Sequence, residues 1–185
     1  MSRQYLVAGN WKMNGSRAAN EAVLLELAQG LAVSPSCEVA VCVPAPYLAQ
    51  VLSLKSAHPG LSALEVGAQD VSAHAAGAYT GEVSAAMLKD VGCRYVIVGH
   101  SERRAFYADT DDIVARKFKV AQSLGLMPIL CVGETLQERE AEQTEAVLVR
   151  QLTAVLDLNG ADAFANAVVG YEPGWAVGPG RAAPP

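Results

Sequence analysis

Short, almost wholly apolar runs alternate along the chain with stretches whose apolar residues recur at helical spacing. The runs are Tyr5–Gly9, Glu38–Pro44, a weaker Leu64–Ala68, Tyr95–Gly99, Pro128–Gly133 and Ala167–Tyr171. Runs this short and continuous predict strands covered on both faces, as in a parallel sheet. Between them, Leu24, Leu27, Ala28 and Leu31 fall at i, i+3, i+4 and i+7, with Ser16 placed to cap that helix. Val114, Phe118 and Ala121 make a second stripe. Asp109, Asp111 and Asp112 stand near its N-terminus, where the helix dipole favours acidic groups, and Gly125 suits its other end. Leu148, Leu152 and Val155 make a third stripe, and Pro46–Leu54 and Ser84–Val91 are shorter candidates.

Six strand-then-helix units, less the last helix, predict an α/β fold. No low-complexity segment divides them, so residues 1–185 read as a single domain. The pattern alone fits both an open doubly wound sheet and a closed (β/α)8 barrel.

Composition narrows the class. With 51% hydrophobic and 18% charged residues, the chain reads as folded, and a net charge of −5 argues against a nucleic-acid partner. No apolar run approaches the roughly 18 residues of a membrane span, and the first residues run into a strand without a signal peptide's apolar core. The expectation is a cytoplasmic protein with no membrane partner. Cys37, Cys42, Cys93 and Cys131 form no C-x-x-C pair, and Cys42 and Cys131 sit inside strand-like runs, which predicts buried reduced thiols.

In either α/β architecture, ligands gather at the carboxyl ends of the strands. Four strands end there in polar chemistry: Gly9-Asn10-Trp11-Lys12, Gly99-His100-Ser101-Glu102-Arg103-Arg104, Gly133-Glu134 and Glu172-Pro173. Lys12, just past a buried strand, would attract an anionic substrate. His100 precedes a helix start at Ser101; the positive end of that helix disfavours imidazolium, leaving a neutral ring able to donate a hydrogen bond. Glu172 follows a strongly apolar strand, so burial is expected to raise its pKa towards that of a useful general base.

Gly178-Pro179-Gly180 with Ala183 formally spells G-x-G-x-x-A, but the glycines do not follow a strand directly and Pro179 removes a backbone donor. A mobile lid with phosphate-facing N–H groups fits better. His58 and His74 lie in polar loops without partner spacing, and no cluster predicts a metal.

Five motifs resemble the triosephosphate isomerase family in order and spacing. They are Gly9-Asn10-Trp11-Lys12-Met13-Asn14, Tyr79-Thr80-Gly81-Glu82-Val83-Ser84, Gly99-His100-Ser101-Glu102-Arg103-Arg104, Cys131-Val132-Gly133-Glu134 and Tyr171-Glu172-Pro173. The resemblance implies a TIM barrel without cofactor or metal. It implies that Glu172 moves a proton between C1 and C2 of a triose phosphate, and that His100 polarises the carbonyl. Lys12 would balance the negative charge of phosphate and enediolate, and Asn10 would orient the oxygens. Ser101 would hold Glu172 while the lid is open, Glu102 would support Lys12, Cys131 would support the site, and Gly178 would offer its N–H to the phosphate. The loop from Ala73 to Glu82, with Tyr79, Thr80 and Gly81, would dock around Met13 of a second copy to give a homodimer. Another phosphate-binding barrel would not be expected to carry the Asn10, Lys12, His100 and Glu172 set.

The lid departs from the family pattern: Gly174 stands at the first hinge, Pro179 at the tip and Arg181 where a lysine is usual. Gly174 is expected to loosen the hinge and Pro179 to stiffen the tip. Length departs too. A barrel of this type takes roughly 250 residues, so about 65 are expected to be absent, and only about six β/α units are present. A C-terminally truncated enzyme and a non-catalytic fragment of it are the two readings that follow.

Overall fold

The computed structural model describes residues 5–31 and 37–176. Six strands form one sheet in sequential order, every neighbouring pair parallel: β1 (Tyr5–Asn10), β2 (Cys37–Val43), β3 (Leu64–Ala68), β4 (Tyr95–Val98), β5 (Met127–Val132) and β6 (Val168–Tyr171). Sequential parallel order with a helix in every crossover is the winding of a (β/α) barrel, and six strands make an incomplete one. The doubly wound alternative is excluded, because its strand order would reverse at a switch point.

The helices are α1 (Arg17–Leu31), α2 (Leu48–Ala57), α3 (Ala85–Val91), α4 (Ser101–Phe106), α5 (Asp111–Ser123), α6 (Leu136–Glu140) and α7 (Thr144–Asn159). Ser16 caps α1, its Oγ accepting from the Ala19 N–H, and Ser84 does the same for α3 through Met87. The stripe predicted for α5 is buried at Val114, Phe118 and Ala121. Thr110, rather than an aspartate, caps that helix, and Asp109 is withdrawn from the dipole to a buried ion pair. The weakest segment for sequence reasoning is α6, too short for a stripe. It is set by a capping box in which Thr135 and Glu138 exchange hydrogen bonds.

Pleating sorts the strand residues into two layers. Val41, Val43, Val96, Val98, Leu130 and Val132 point outward to α1, α2, α3, α5 and α7 and build the main core with Phe118 and Leu24. Ala40, Cys42, Tyr95, Ile97, Ile129 and Cys131 form a smaller inner cluster on the concave face. Burial in that cluster pushes the Cys42 and Cys131 thiols up to about 12, and Cys93, in the outer core, is raised to about 11.

The expectation of strands covered on both faces holds for β2 to β5 and fails for β1 and β6. Tyr5 is 80% exposed and Val7 58%, while Val169 and Tyr171 are 43% and 49% exposed. These strands are the two edges of the sheet, and no further strand pairs with them among the described residues. No helix among the described residues is long and apolar enough to cross a membrane.

Candidate active site

The polar strand exits converge at the carboxyl end of the sheet. Strand β1 delivers Asn10 and, two residues later, Lys12, whose backbone is left-handed at φ 51°. Such a conformation is costly for a residue with a side chain. It is secured locally: Asn10 Oδ1 accepts from the Lys12 N–H at 2.9 Å, and Gln69 Nε2 donates to the Lys12 carbonyl at 2.8 Å. The ammonium so placed meets Glu102 Oε1 at 2.8 Å. Gln69, just past β3, was not among the residues singled out from sequence. The polar pair Gln69-Asp70 after a strand was the available signal, but the run before it is weak.

Strand β4 ends at Val98, and Gly99 turns the chain with φ 73°. A side chain here would strike Arg104, Val114 and the Cys131 carbonyl, so the turn demands glycine twice over. It leads into α4 with His100 at the N-cap. The His100 Nδ1 accepts from the Glu102 N–H at 3.2 Å, so the ring carries its proton on Nε2. His100 is 4% exposed. Its Nε2 lies 3.1 Å from Glu172 Oε1 without the alignment of a hydrogen bond, and it has no other partner among the described residues.

Strand β6 delivers Glu172, anchored by its own N–H to the Val132 carbonyl at 2.8 Å. Ser101 Oγ lies 3.4 Å from its Oε2 and donates to it. Burial pushes the Glu172 carboxyl up, but the His100 ring, the Ser101 backbone and the Lys12 charge outweigh it, and the net shift is downward. The raised pKa expected from sequence is therefore corrected. Burial was legible from the strand; the donors and cations gathered around the carboxylate were not. The close seat of Glu172 depends on Gly133, where a Cβ would fall 2.2 Å from the Glu172 carbonyl oxygen. Gln151 holds Gly133 in place, accepting from its N–H at 2.9 Å and donating to its carbonyl at 3.0 Å.

Behind this group, Glu134 is 1% exposed and accepts from Trp175 Nε1 at 2.8 Å and from the Tyr171 hydroxyl at 3.0 Å. Burial alone would raise its pKa; Trp175, its own backbone, Tyr171 and Thr144 together lower it. One carboxylate thus ties β5, β6 and the first turn beyond Glu172. Sequence reasoning noticed Glu134 at a strand exit but gave it no role, and it passed over Trp175. At the hinge, a Cβ on Gly174 would meet only ordinary contacts, at 3.5 Å from the Glu134 carbonyl and 3.8 Å from Ser101 Cβ. Gly178, Pro179 and Arg181 lie outside the described residues.

Two hollows flank α4. One, of about 390 Å³, is lined by Asn10, Lys12, Gln69, His100 and Glu102 among others. The other, of about 750 Å³, runs past Ser101, Arg104, Glu134 and Trp175. Cys131 lies on the concave face, 8% exposed. Met13 is 94% exposed, and Tyr79, 44% exposed, stacks on His74 with ring centroids 3.8 Å apart. Thr80, Gly81 and Glu82 are likewise exposed. Among the described residues no group of three or more His, Cys, Asp or Glu could hold a metal ion.

The arrangement offers a carboxylate base, an imidazole N–H and an ammonium at one mouth. Residues 5–185 match the family model described as Triosephosphate isomerase. The chain is 58% identical over 183 residues to the triosephosphate isomerase of Herminiimonas arsenicoxydans, covering 99% of this chain and 72% of that protein. It is 58% identical over 183 residues to that of Dechloromonas aromatica (strain RCB), with the same coverage. The triosephosphate isomerase of Nitrosococcus oceani is 55% identical over 183 residues, again 99% and 72% of the two chains. A family match over nearly the whole chain, and relatives this similar, establish that the chain belongs to the triosephosphate isomerase family.

Proposed function

We propose that this protein is a triosephosphate isomerase that interconverts dihydroxyacetone phosphate and D-glyceraldehyde 3-phosphate in glycolysis and gluconeogenesis. The observation that carries the reading is the convergence of Lys12, His100 and Glu172 at the ends of β1, β4 and β6, with Lys12 and His100 lining a hollow of about 390 Å³ and Glu172 3.1 Å from the His100 ring.

Glu172, ionised because its pKa is lowered, removes a proton from C1 of the ketose. The electrons move into C1–C2 and charge develops on the C2 oxygen. The His100 Nε2–H donates to that oxygen, stabilising the enediolate with a donor already in place. The hydroxyl proton on the C1 oxygen passes to the C2 oxygen, and as the C1 carbonyl forms the proton held by Glu172 returns to C2, completing the aldose. Lys12 contributes positive charge to the phosphate and the developing oxyanion, with Asn10 and Gln69 holding its backbone in place. Ser101 holds the Glu172 carboxylate, Glu102 orients the Lys12 ammonium, Cys131 supports the site from the sheet, and Gly178 contributes a backbone donor to the phosphate.

Residues 1–185 act as a single domain without cofactor or metal, and the protein works in the cytoplasm, without membrane or nucleic-acid partners. It functions as a homodimer in which the exposed segment of Tyr79, Thr80, Gly81 and Glu82 docks around the partner's Met13. The stacked His74–Tyr79 pair supports this by pre-ordering the segment before it meets a partner.

The test is interconversion of the two triose phosphates by the purified chain beside a Glu172→Gln control. Turnover that the substitution abolishes supports the reading; a chain as inert as its control favours the non-catalytic alternative. Sedimentation of the wild type and Tyr79→Asp tests the dimer, which the substitution is expected to split.

A further inference from the structure

Helix α4 carries His100 at its N-cap, then Ser101 and Glu102, yet none of its six residues is buried. A helix this short is not stable by itself. Its placement leans on side-chain ties: besides the Glu102–Lys12 and Ser101–Glu172 contacts at the mouth, two sets hold its arginines. On one flank, Arg104 Nε donates to the Gly99 carbonyl at 2.8 Å and its Nη1 meets Asp111 at 2.6 Å.

The second set is a closed ring of alternating charge. Arg103, on α4, reaches Asp70 Oδ2 through Nη2 at 2.9 Å and Asp109 Oδ2 through Nε at 3.0 Å. Lys117 Nζ binds both oxygens of the same two carboxylates, at 2.8 and 3.0 Å for Asp70 and 2.8 and 3.1 Å for Asp109. Lys117 and Asp109 side chains are each 5% exposed. The ammonium projects from α5, whose Val114, Ala115, Phe118 and Ala121 are buried in the main core. The ring therefore transmits the position of a well-packed helix to one that has no buried residue of its own. A buried ammonium and carboxylate, Lys117 and Asp109, joined to the half-buried Arg103 and Asp70, are a poor way to gain stability, since apolar replacements often do as well or better. Their geometry is what an apolar cluster could not reproduce.

We propose that Lys117 and Asp109 are positioning residues for the isomerase: through Arg103 they fix α4, and with it His100 and Glu102, against the substrate. Lys117 does not touch the reacting atoms, and the proposal rests on the isomerase reading of the site.

Two variants of the full chain test it. Lys117→Met breaks the ring and leaves two carboxylates facing one guanidinium. Lys117→Met with Asp109→Asn restores charge balance, leaving the Arg103–Asp70 pair alone. Both are expected to lose about tenfold to a hundredfold in kcat with KM changed by less than about twofold, and the balanced variant is expected to recover most of the lost Tm. If kcat recovers along with Tm, the ring is merely structural and the proposal falls. Should Lys117→Met fail to fold, the balanced variant carries the test alone.

A readout free of turnover is the ring nitrogen NMR signals of His100, assigned by loss in His100→Gln. They are expected to shift or broaden in the balanced variant; unchanged signals overturn the proposal. Moved signals in a chain whose wild type shows no turnover would sink the isomerase reading and leave the positioning geometry standing.

Discussion

His100 Nε2 stands 3.1 Å from Glu172 Oε1, joining the exits of β4 and β6 across the mouth of the sheet. His100 is 4% exposed, and Ser101 and Lys12 also act on the Glu172 carboxylate. A buried imidazole N–H that points towards a carboxylate without bonding it well is a donor held ready for a third group, such as a substrate oxygen.

Glu172 is the group whose ionisation decides whether this mouth holds a base. Its folded pKa lies below the ordinary value, so it is charged at every pH above that lowered value. Carbon-13 titration of the Glu172 carboxyl in the free protein is expected to give a midpoint below the ordinary glutamate value of about 4.3. The stability this carboxylate contributes is fully present above the unfolded value and is lost as pH falls through the folded one. A midpoint above the ordinary value would contradict the balance of contacts described. Glu172→Gln is expected to cut kcat by about 100-fold to 10,000-fold, the scale of a general base.

Asn10→Ala removes the acceptor that holds the Lys12 N–H in a left-handed conformation. The variant is expected to lose about 1 kcal/mol of stability and to bind substrate more weakly, because the ammonium loses its fixed origin. Denaturant unfolding together with KM checks this. An unchanged KM would mean that Gln69 alone suffices to hold the Lys12 backbone.

Gly133→Ala puts a methyl group 2.2 Å from the Glu172 carbonyl oxygen and 2.7 Å from its carbon, both backbone atoms. The end of β6 must move, at a cost of about 1–3 kcal/mol. The expected signature is a fall in kcat of at least tenfold. A crystal structure with Glu172 in its original place would show that the strand end yields elsewhere.

Glu134→Leu removes the acceptor shared by Trp175 and Tyr171. Each orphaned donor costs about 1–3 kcal/mol if it stays buried. Trp175 emission, read in a Trp11→Phe background, is expected to shift as the indole loses its partner. Glu134→Gln keeps an acceptor and is expected to lose less in both measurements.

The parts of the fold legible in the sequence were those that rest on local pattern. The four central strands follow their apolar runs to within a residue or so, because parallel strands covered on both faces read as nearly continuous apolar runs, with Glu38 and Glu65 the exceptions. Ser16 announced its helix in the same way. The site exits at Asn10, His100 and Glu172 were legible because polar residues interrupt apolar runs there.

What was not legible depends on partners distant in sequence. Asp109 looks like a dipole-favoured residue until Lys117 and Arg103 are seen around it. The lowered pKa of Glu172 comes from His100, 72 positions away, and from Lys12 at the far edge of the sheet, neither visible in the run Val168-Val169-Gly170-Tyr171. The Thr135–Glu138 capping box was readable, and only the lack of an apolar stripe after it hid α6.

The sheet's concave and convex layers also hold an internal clock. At neutral pH a thiol pushed up to about 12, as at Cys42 and Cys131, is thiolate in only about one molecule in 100,000. With Cys42 fully covered within β2, alkylating reagents reach its sulfur only when the strands around it part. The rate at which Cys42 is modified therefore reports how often the sheet opens around β2.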